Sequence, residues 1–232
     1  NADAAIIALA RQVLCSVGIE KISLEINSIG CPECGKGYIA ALKAYFEQHT
    51  DELCDTCKDR LYRNPMRILD CKSPVCKKIA ADAPVVTDYL CSDCREHFEA
   101  VKSFLKAAGV EFTVNPHIVR GLDYYTCTVF EFVSGDIGAR STVCCGGRYD
   151  GLISQMGGPN VPSLGFAMGI ERIMLLLEAQ KTELPKPAYC DLFIAAMGNN
   201  AQLKAAELCA ALREDGFKVN TDICGRGLKA QM

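Results

Sequence analysis

The spacing of apolar residues divides the first half of the chain into one strand and several helical segments. Apolar positions recur at helical intervals over residues 6–17, which predicts an amphipathic helix. From Ile22 to Ile26 apolar and polar residues alternate, which predicts a strand with one side facing water. From Cys31 to about Asn115 the pattern is helical again, and cysteine pairs and prolines interrupt it. We therefore predict a helical insertion that divides a sheet-based domain.

Strand patterns return in the second half of the chain. Residues 124–132 are rich in β-branched and aromatic side chains, but both faces of such a strand would carry polar atoms, which suits the floor of a polar pocket. A proline-rich stretch precedes a strand–helix–strand pattern, typical of a separate α/β domain. We predict that the sheet domain comprises residues 1–30 and 116–183, and that the insertion comprises residues 31–115. Residues 184–188 form a linker, and residues 189–232 form the start of the last domain.

Composition narrows the class of protein. The chain has 232 residues, half of them hydrophobic and 23% charged, as in ordinary soluble domains. No apolar run approaches the roughly 20 residues of a membrane span, and no signal peptide opens the chain. We expect a cytoplasmic protein without membrane contact. Because the sequence lacks an initiator methionine and ends without a helix-stop signal, we expect an excerpt truncated at both ends.

The charge pattern contains one local feature of interest. A net charge of −3 argues against nucleic-acid binding by bulk electrostatics. The stretch Lys58–Lys78 nevertheless holds seven basic residues against two acidic ones. A stretch of this kind is either a solvated helical face, which charge alone favours, or a contact for nucleic-acid phosphates.

Fifteen cysteines form the second local feature. Their odd number, the chain length and the missing secretory segment favour reduced thiols over disulfides. Three CxxC pairs and one wider pair stand out. The first two pairs are 19 residues apart, a spacing typical of zinc sites. We predict a zinc site formed by Cys31, Cys34, Cys54 and Cys57. We predict a second candidate set of zinc ligands in Cys71, Cys76, Cys91 and Cys94. The alternative is cysteine as a small apolar residue, which suits the seven that remain.

Three further stretches carry a family resemblance. CCGGRYDGL (144–152) alone is typical of a tight turn, and in GFAMGIERI (165–173) a basic residue near a helix start is typical of a phosphate site. Taken with IVRGLDYYTCTVFE (118–131), in this order and spacing, they closely resemble histidyl-tRNA synthetases, which are class II aminoacyl-tRNA synthetases. LEINSIG, RNPMRILDCK, ADAPVVTDYL and HFEAVKSFL extend the resemblance, and residues 216–232 resemble the opening of the family's anticodon-binding domain.

The resemblance implies an α+β fold with an antiparallel-sheet catalytic core. It also implies ATP-dependent activation of histidine to histidyl-adenylate, transfer to tRNA(His), Mg²⁺ with the ATP, and a cytoplasmic homodimer. By the same resemblance Arg120 stabilises the α-phosphate and the carboxylate, so that it contacts both ATP and histidine. Tyr124 and Tyr125 line the histidine pocket, Tyr149 borders it, and Arg172 binds the ATP phosphates. A planar guanidinium suits these roles because it can hold two oxygens at once.

Departures from the family pattern leave alternatives open. Class II motifs one and two are missing, so we expect the excerpt to be inactive alone. A non-catalytic paralogue, the regulatory subunit of ATP phosphoribosyltransferase, shares the fold, but it typically lacks the anticodon-binding domain and an intact RGLDYY motif. A stand-alone zinc-binding nucleic-acid module would explain residues 31–94 but none of the later strand motifs. Arg120 itself could instead form a structural pair with Asp123 across the turn.

Overall fold

The chain forms two units, Asn1–Thr182 and Glu183–Met232. The computed structural model describes residues 2–118, 124–138, 142–183 and 189–232. The predicted linker, 184–188, lies outside the described residues, next to the boundary between the units. No helix in these described ranges combines the length and the apolar character that crossing a bilayer requires.

A five-stranded sheet forms the centre of the first unit. Its strands are β1 (Ser23–Ser28), β2 (Thr113–Val114), β3 (Thr126–Val133), β4 (Thr142–Arg148) and β5 (Leu164–Met168). Their order across the sheet is β2-β1-β3-β4-β5. Only β1 and β2 run parallel, and the other neighbours are antiparallel. The expected sheet core, largely antiparallel, is therefore confirmed, although β3 begins two residues later than its composition predicts.

Seven helices accompany this sheet among the residues described. They are α1 (Ala2–Ser16), α2 (Pro32–Glu47), α3 (Asp55–Arg63), α4 (Pro74–Ala81), α5 (Ser92–Ala107), α6 (Leu152–Gln155) and α7 (Ile170–Ala179). Helices α1 and α5 share one hydrophobic core with the sheet. Ile7 and Leu14 of α1 and Leu105 of α5 are fully buried there with Phe130 and Phe132 of β3. Their burial stabilises the unit because each removes a large apolar side chain from water.

The insertion has a hydrophobic core of its own. Helices α2, α3 and α4 surround Tyr38, Phe46, Leu61 and Ile68, all essentially inaccessible to solvent. The apolar spacing within the insertion predicts helices over residues 38–46, 57–62 and 95–108, and none at α4. Helix α4 begins at Pro74, where a proline is tolerated because the first helical N–H has no intrahelical partner. Helix α5 joins the core of the sheet. The segment with its own core therefore ends before α5, earlier than the predicted boundary near residue 115.

The second unit is a small α/β arrangement. Strands β6 (Leu192–Ile194) and β7 (Val219–Thr221) pair in parallel. Helix α8 (Asn199–Glu214) connects them, and a short helix, α9 (Leu228–Gln231), follows. A parallel pair needs such a crossover because its strands begin at the same end. The predicted strand–helix–strand pattern matches this arrangement.

Candidate active site and cysteine clusters

Three tyrosines from two separate parts of the chain form an aromatic cluster. The rings of Tyr124 and Tyr125 have centroids 4.9 Å apart. Tyr149 lies edge-on to both, at 5.9 Å and 6.2 Å, in the perpendicular geometry that aromatic quadrupoles favour. All three are half-buried. The structure thus brings together the three tyrosines that the sequence singled out, and we call them the tyrosine cluster.

Two glycines on neighbouring strands make room for these rings. Gly147 of β4 pairs with Gly165 of β5. A β-carbon on Gly147 would lie 2.4 Å from the carbonyl oxygen of Thr128 and 3.0 Å from the Tyr125 ring. One on Gly165 would lie 2.8 Å from the Tyr149 hydroxyl oxygen. The cluster can rest on this part of the sheet because side chains are absent there.

A buried carboxylate connects four elements beside the tyrosine cluster. Asp3 of α1, only 3% exposed, accepts hydrogen bonds from Arg148 Nη2 at 2.5 Å and from Thr128 Oγ1 at 2.7 Å. His97 Nε2 of α5 lies 2.6 Å from the same carboxylate. Arg148 also contacts Asp150 at 3.0 Å. Because Arg148 directly precedes Tyr149, this buried network fixes the end of β4 that carries the tyrosine.

Electrostatics favour the ionised form of this carboxylate. Burial alone would raise the pKa of Asp3, but hydrogen bonds from Arg148, Thr128 and His97 and the charge of Arg148 outweigh it and hold the pKa below its usual value. The pKa of Arg148 is raised in turn: burial opposes the charge, and Asp3 more than compensates. Our sequence interpretation missed Asp3. The available signal was its helical spacing with Ile7 and Leu14 on the buried face of α1.

Of the two candidate arginines, only Arg172 is among the described residues, and it lies away from the tyrosine cluster. Arg172, in the first turn of α7, donates a hydrogen bond to the carbonyl of Thr142. Thr142 begins β4 and Arg148 ends it, so the site of Arg172 and the tyrosine cluster are about 20 Å apart along that strand. Arg120 and Asp123 lie outside the described residues, so the catalytic role of Arg120 and its alternative ion pair both stay predictions.

Eight cysteines gather into two groups of four, but not in the groups expected. The neck tetrad comprises Cys31, Cys34, Cys91 and Cys94, and the core tetrad comprises Cys54, Cys57, Cys71 and Cys76. The predicted partnership of the first two CxxC pairs is therefore wrong. The insertion brings its first and last cysteine pairs together where it leaves and rejoins the sheet domain. The middle two pairs meet within its own core.

Both tetrads fit a tetrahedral metal ion. The sulfur atoms of each tetrad lie within 4.8 Å of one another, and a zinc ion with bonds of about 2.3 Å requires sulfurs about 3.8 Å apart. Observed separations are 3.5 Å for Cys31–Cys34 and 3.8 Å for Cys54–Cys71. These exceed a disulfide bond of about 2.05 Å. All fifteen cysteines fall among the described residues, and none of them forms a disulfide bond.

The surroundings of the tetrads favour some thiolates and disfavour others. A backbone N–H of one pair donates to a sulfur of the other pair in each tetrad: Cys91 to Cys34 at 3.1 Å and Cys54 to Cys76 at 3.3 Å. The backbone N–H of Cys57 lowers the pKa of Cys54 to about 7, whereas burial raises the pKa of Cys57 itself. A bound cation would reverse the effect of burial, because its charge stabilises coordinating thiolates.

The basic stretch is only partly available to a partner. The Arg60 guanidinium donates to the carbonyl of Arg67 at 2.9 Å, and Arg63 lies 3.1 Å from Asp59. Three lysines of the stretch are exposed; we call Lys72, Lys77 and Lys78 the lysine set. Some of the arginines therefore have structural contacts, while the lysine set remains a candidate phosphate contact.

Comparison with known proteins gives a consistent picture. The sequence profile of the family described as Histidyl-tRNA synthetase matches residues 1–173. The whole chain is 53% identical to 56% of a histidine–tRNA ligase from Caldanaerobacter subterraneus subsp. tengcongensis and 51% identical to 55% of one from Clostridium novyi. It also superimposes on 57% of the crystal structure of apo S. aureus histidyl-tRNA synthetase, with a TM-score of 0.76 and 38% identity. The chain thus spans about half the length of these relatives.

Proposed function

This chain belongs to the histidyl-tRNA synthetase family, and from that membership we propose that the whole protein is a histidine–tRNA ligase. The histidine carboxylate would react with ATP to form histidyl-adenylate and pyrophosphate. The enzyme would then transfer the histidyl group to tRNA(His). The observation that carries the proposal is the assembly of Tyr124, Tyr125 and Tyr149 into one half-buried cluster. The family resemblance of the sequence independently assigns all three to the amino-acid pocket.

The proposed histidine pocket is the space beside the tyrosine cluster. Flat aromatic walls suit an imidazole ring, and the three hydroxyl groups can exchange hydrogen bonds with its two nitrogens. The buried network of Asp3 and Arg148 adds rigidity behind Tyr149. A rigid pocket matters because adenylate formation needs the carboxylate held in line with the α-phosphate.

The proposed phosphate contacts are arginines. Arg120 would stabilise the negative charge that grows on the α-phosphate oxygens as the carboxylate attacks, and pyrophosphate would leave. Arg172 would hold the outer phosphates. Its contact with Thr142 lies about 20 Å along β4 from the tyrosine cluster, so in this proposal the ATP phosphates and the histidine ring would lie toward opposite ends of the strand. Mg²⁺ bound with the ATP would neutralise further phosphate charge.

We assign the remaining partners by the same reasoning. The lysine set, exposed on the insertion, would contact phosphates of the tRNA acceptor arm. The whole protein would act as a homodimer in the cytoplasm, where its tRNA substrate is charged. The two tetrads would hold structural zinc, because four thiolates complete the coordination shell and leave no position for a reacting water.

The regulatory paralogue of ATP phosphoribosyltransferase is the less favoured function. Such a protein needs no adenylation chemistry and no second unit. This chain carries the arginine-tyrosine motif in full, and its second unit contains a folded strand–helix–strand.

ATP–pyrophosphate exchange by the whole protein, with each amino acid tested singly, decides between the two functions. We expect exchange with histidine alone. Arg120→Lys should lower turnover by about 10²–10³, because lysine keeps the charge but loses the two-pronged geometry. Tyr125→Phe should mainly raise the KM for histidine. Absence of exchange would refute the ligase, and an Arg120→Lys protein that melts lower but keeps wild-type turnover would remove the catalytic role.

A further inference from the structure

The neck tetrad lies where the insertion joins the sheet domain. Cys31 is the residue just before α2 and Cys91 the residue just before α5, so the tetrad gathers the first turns of the helices that open and close this region. A helix N-terminus favours negative charge. Thiolates placed there bind a divalent cation more readily than thiols in a neutral environment. One ion in this tetrad would join two points of the chain about 60 residues apart.

The neck tetrad also rests directly on strand β3. Backbone pairing between β1 and β3 continues beyond the end of β1: the N–H of Ile29 donates to the carbonyl of Cys127, and the N–H of Cys127 donates to the carbonyl of Gly30, both at 2.8 Å. Gly30 is the residue immediately before the first ligand. The Cys127 side chain packs against the cluster formed by Cys34, Leu90 and Cys94.

Backbone geometry at this junction is unusual on both strands. Cys127 adopts a left-handed conformation with φ of 50°, which costs a residue with a β-carbon about 1–3 kcal/mol unless its surroundings hold it. It lies in an irregularity of the β3–β4 pairing, between Thr126 and Val129. Gly30 has φ of 71°, and a β-carbon there would lie 2.8 Å from Cys34 Cβ. The chain therefore approaches the tetrad closely at a position that only glycine tolerates.

The tyrosine cluster begins three residues before Cys127. Tyr125 is separated from it only by Thr126, and Tyr124 directly precedes Tyr125. If the Gly30–Cys31 junction moved, the two backbone hydrogen bonds of Cys127 would displace Cys127 with it. The displacement would then reach the rings of Tyr124 and Tyr125. Among the described residues, the cysteines of the core tetrad pack within the separate core of the insertion and are not members of the cluster that Cys127 packs against.

We propose that the neck tetrad binds one Zn²⁺ ion that clamps both ends of the insertion to strand β3 and so positions Tyr124 and Tyr125. Four thiolates in a tetrahedron favour zinc among the common divalent ions. The cysteines of the neck tetrad are positioning residues, since they act on the pocket through Cys127. The effect on histidine binding rests on the proposed function, but the clamp itself does not.

Metal content tests the first half of the proposal. The whole protein, purified without added metal under reducing conditions, should contain two zinc ions per chain. The double variant Cys31→Ser/Cys94→Ser, which we call the neck variant, should contain one zinc ion. The double variant Cys54→Ser/Cys76→Ser, which we call the core variant, should also contain one, while the control Cys15→Ser should keep two. Cobalt added to the metal-free protein should give thiolate-to-metal charge-transfer bands that halve in either double variant. An unchanged zinc content in the neck variant would overturn the proposal.

Hydrogen exchange tests the second half. The peptide containing the Cys127 amide should exchange about tenfold faster in the neck variant, because the bond to Gly30 opens more often, and it should be unaffected in the core variant. Removing zinc from the folded wild type with a chelator should accelerate exchange in the same way. This second measurement tests the proposal even if the neck variant fails to fold. Equal acceleration in both double variants would show a general loss of stability and refute the clamp.

Pyrophosphate exchange then separates this proposal from the proposed function. The KM for histidine should rise about tenfold in the neck variant, with a smaller change in kcat, because the rings are misplaced and the chemistry is not. Cys127→Ala should keep both zinc ions yet raise the same KM. A wild type without histidine-dependent exchange would refute the ligase, while zinc content and amide exchange would still decide the clamp. A KM that rises equally in the core variant would refute the positioning role.

Discussion

The buried carboxylate of Asp3 gives the clearest test of what holds the first unit together. In Asp3→Asn the side chain keeps its size but loses its charge, and one of its acceptor oxygens becomes a donor. Arg148 would lose its ionised partner, and the new amide NH₂ would face either Arg148 or the hydroxyl of Thr128 and the ring of His97, depending on which carboxylate oxygen it replaces. At least one buried group would then have no suitable partner.

The expected loss of stability follows from the exposure of the partners. Removing one member of a buried ion pair costs about 3–5 kcal/mol. The Arg148 side chain is 14% exposed and keeps Asp150 at 3.0 Å, so the lower end of that range applies. We expect Asp3→Asn to lower the free energy of unfolding by about 3 kcal/mol, a large part of the 5–15 kcal/mol typical of a domain.

The pH dependence supplies an independent check. The folded pKa of Asp3 lies below its usual value, so its contribution is complete above the unfolded pKa of about 3.9 and is lost as the pH falls through the lower folded pKa. The difference between wild type and Asp3→Asn should therefore be constant from about pH 7 to 5 and shrink below about pH 4. Urea unfolding followed by far-ultraviolet circular dichroism at a series of pH values measures both quantities.

An exposed aspartate provides the matched control. Asp59 pairs with Arg63 at 3.1 Å, but both side chains are more than half exposed, so Asp59→Asn should cost no more than about 0.5 kcal/mol. If Asp3→Asn costs no more than this control, or if the difference does not depend on pH, the buried network does not stabilise the unit in the way we infer.

Three further predictions concern other parts of the chain. Gly147→Ala should lower the free energy of unfolding by about 1–3 kcal/mol, because its β-carbon would overlap the Thr128 carbonyl. Gly35→Ala, whose β-carbon would meet no atom within 4 Å apart from its chain neighbours and the backbone of its own helix, should be neutral or stabilising in the same urea titration. Alanine at all three positions of the lysine set should weaken tRNA binding and flatten its salt dependence, as filter binding at several salt concentrations would show; unchanged affinity would leave these lysines as a solvated face. Burial raises the pKa of Cys144 to about 12, so at pH 8 its thiolate fraction is about 10⁻⁴. Iodoacetamide should therefore label exposed Cys224 long before Cys144; equal rates by mass spectrometry would contradict this.

Short-range patterns in the sequence predicted most of the secondary structure. Alternation identified β1, helical spacing identified α1, and the second unit followed from its strand–helix–strand pattern. Helix α4 was missed because its eight residues span little more than two turns, whereas apolar periodicity becomes clear only over about 11–18 residues. The aromatic cluster was also accessible, since the family resemblance placed its three tyrosines in one pocket.

Long-range pairings were not accessible in the same way. Spacing shows which two cysteines form a knuckle, but it does not show which knuckles meet, because that depends on how the intervening helices pack. Cys34 accepts from the amide of Cys91, 57 positions away, and Asp3 accepts from Arg148, 145 positions away. Neither separation leaves a periodic signal. Only Asp3 gave a local hint, as an acidic residue on an otherwise apolar helix face.

Both long-range features converge on the start of β3. Thr128 donates a hydrogen bond to Asp3, which belongs to α1 on the side of the sheet that α1 and α5 cover. Cys127, its neighbour, packs against cysteines of the neck tetrad. Two adjacent residues are therefore fixed by contacts to separate parts of the chain, at the point where the β3–β4 pairing is irregular. Such an irregularity would by itself leave the strand end free to shift, because ladder hydrogen bonds are lost there. The contacts of Thr128 and Cys127 hold this strand end in place of those hydrogen bonds. In the clamp that we propose, they also hold Tyr124 and Tyr125, which directly precede it.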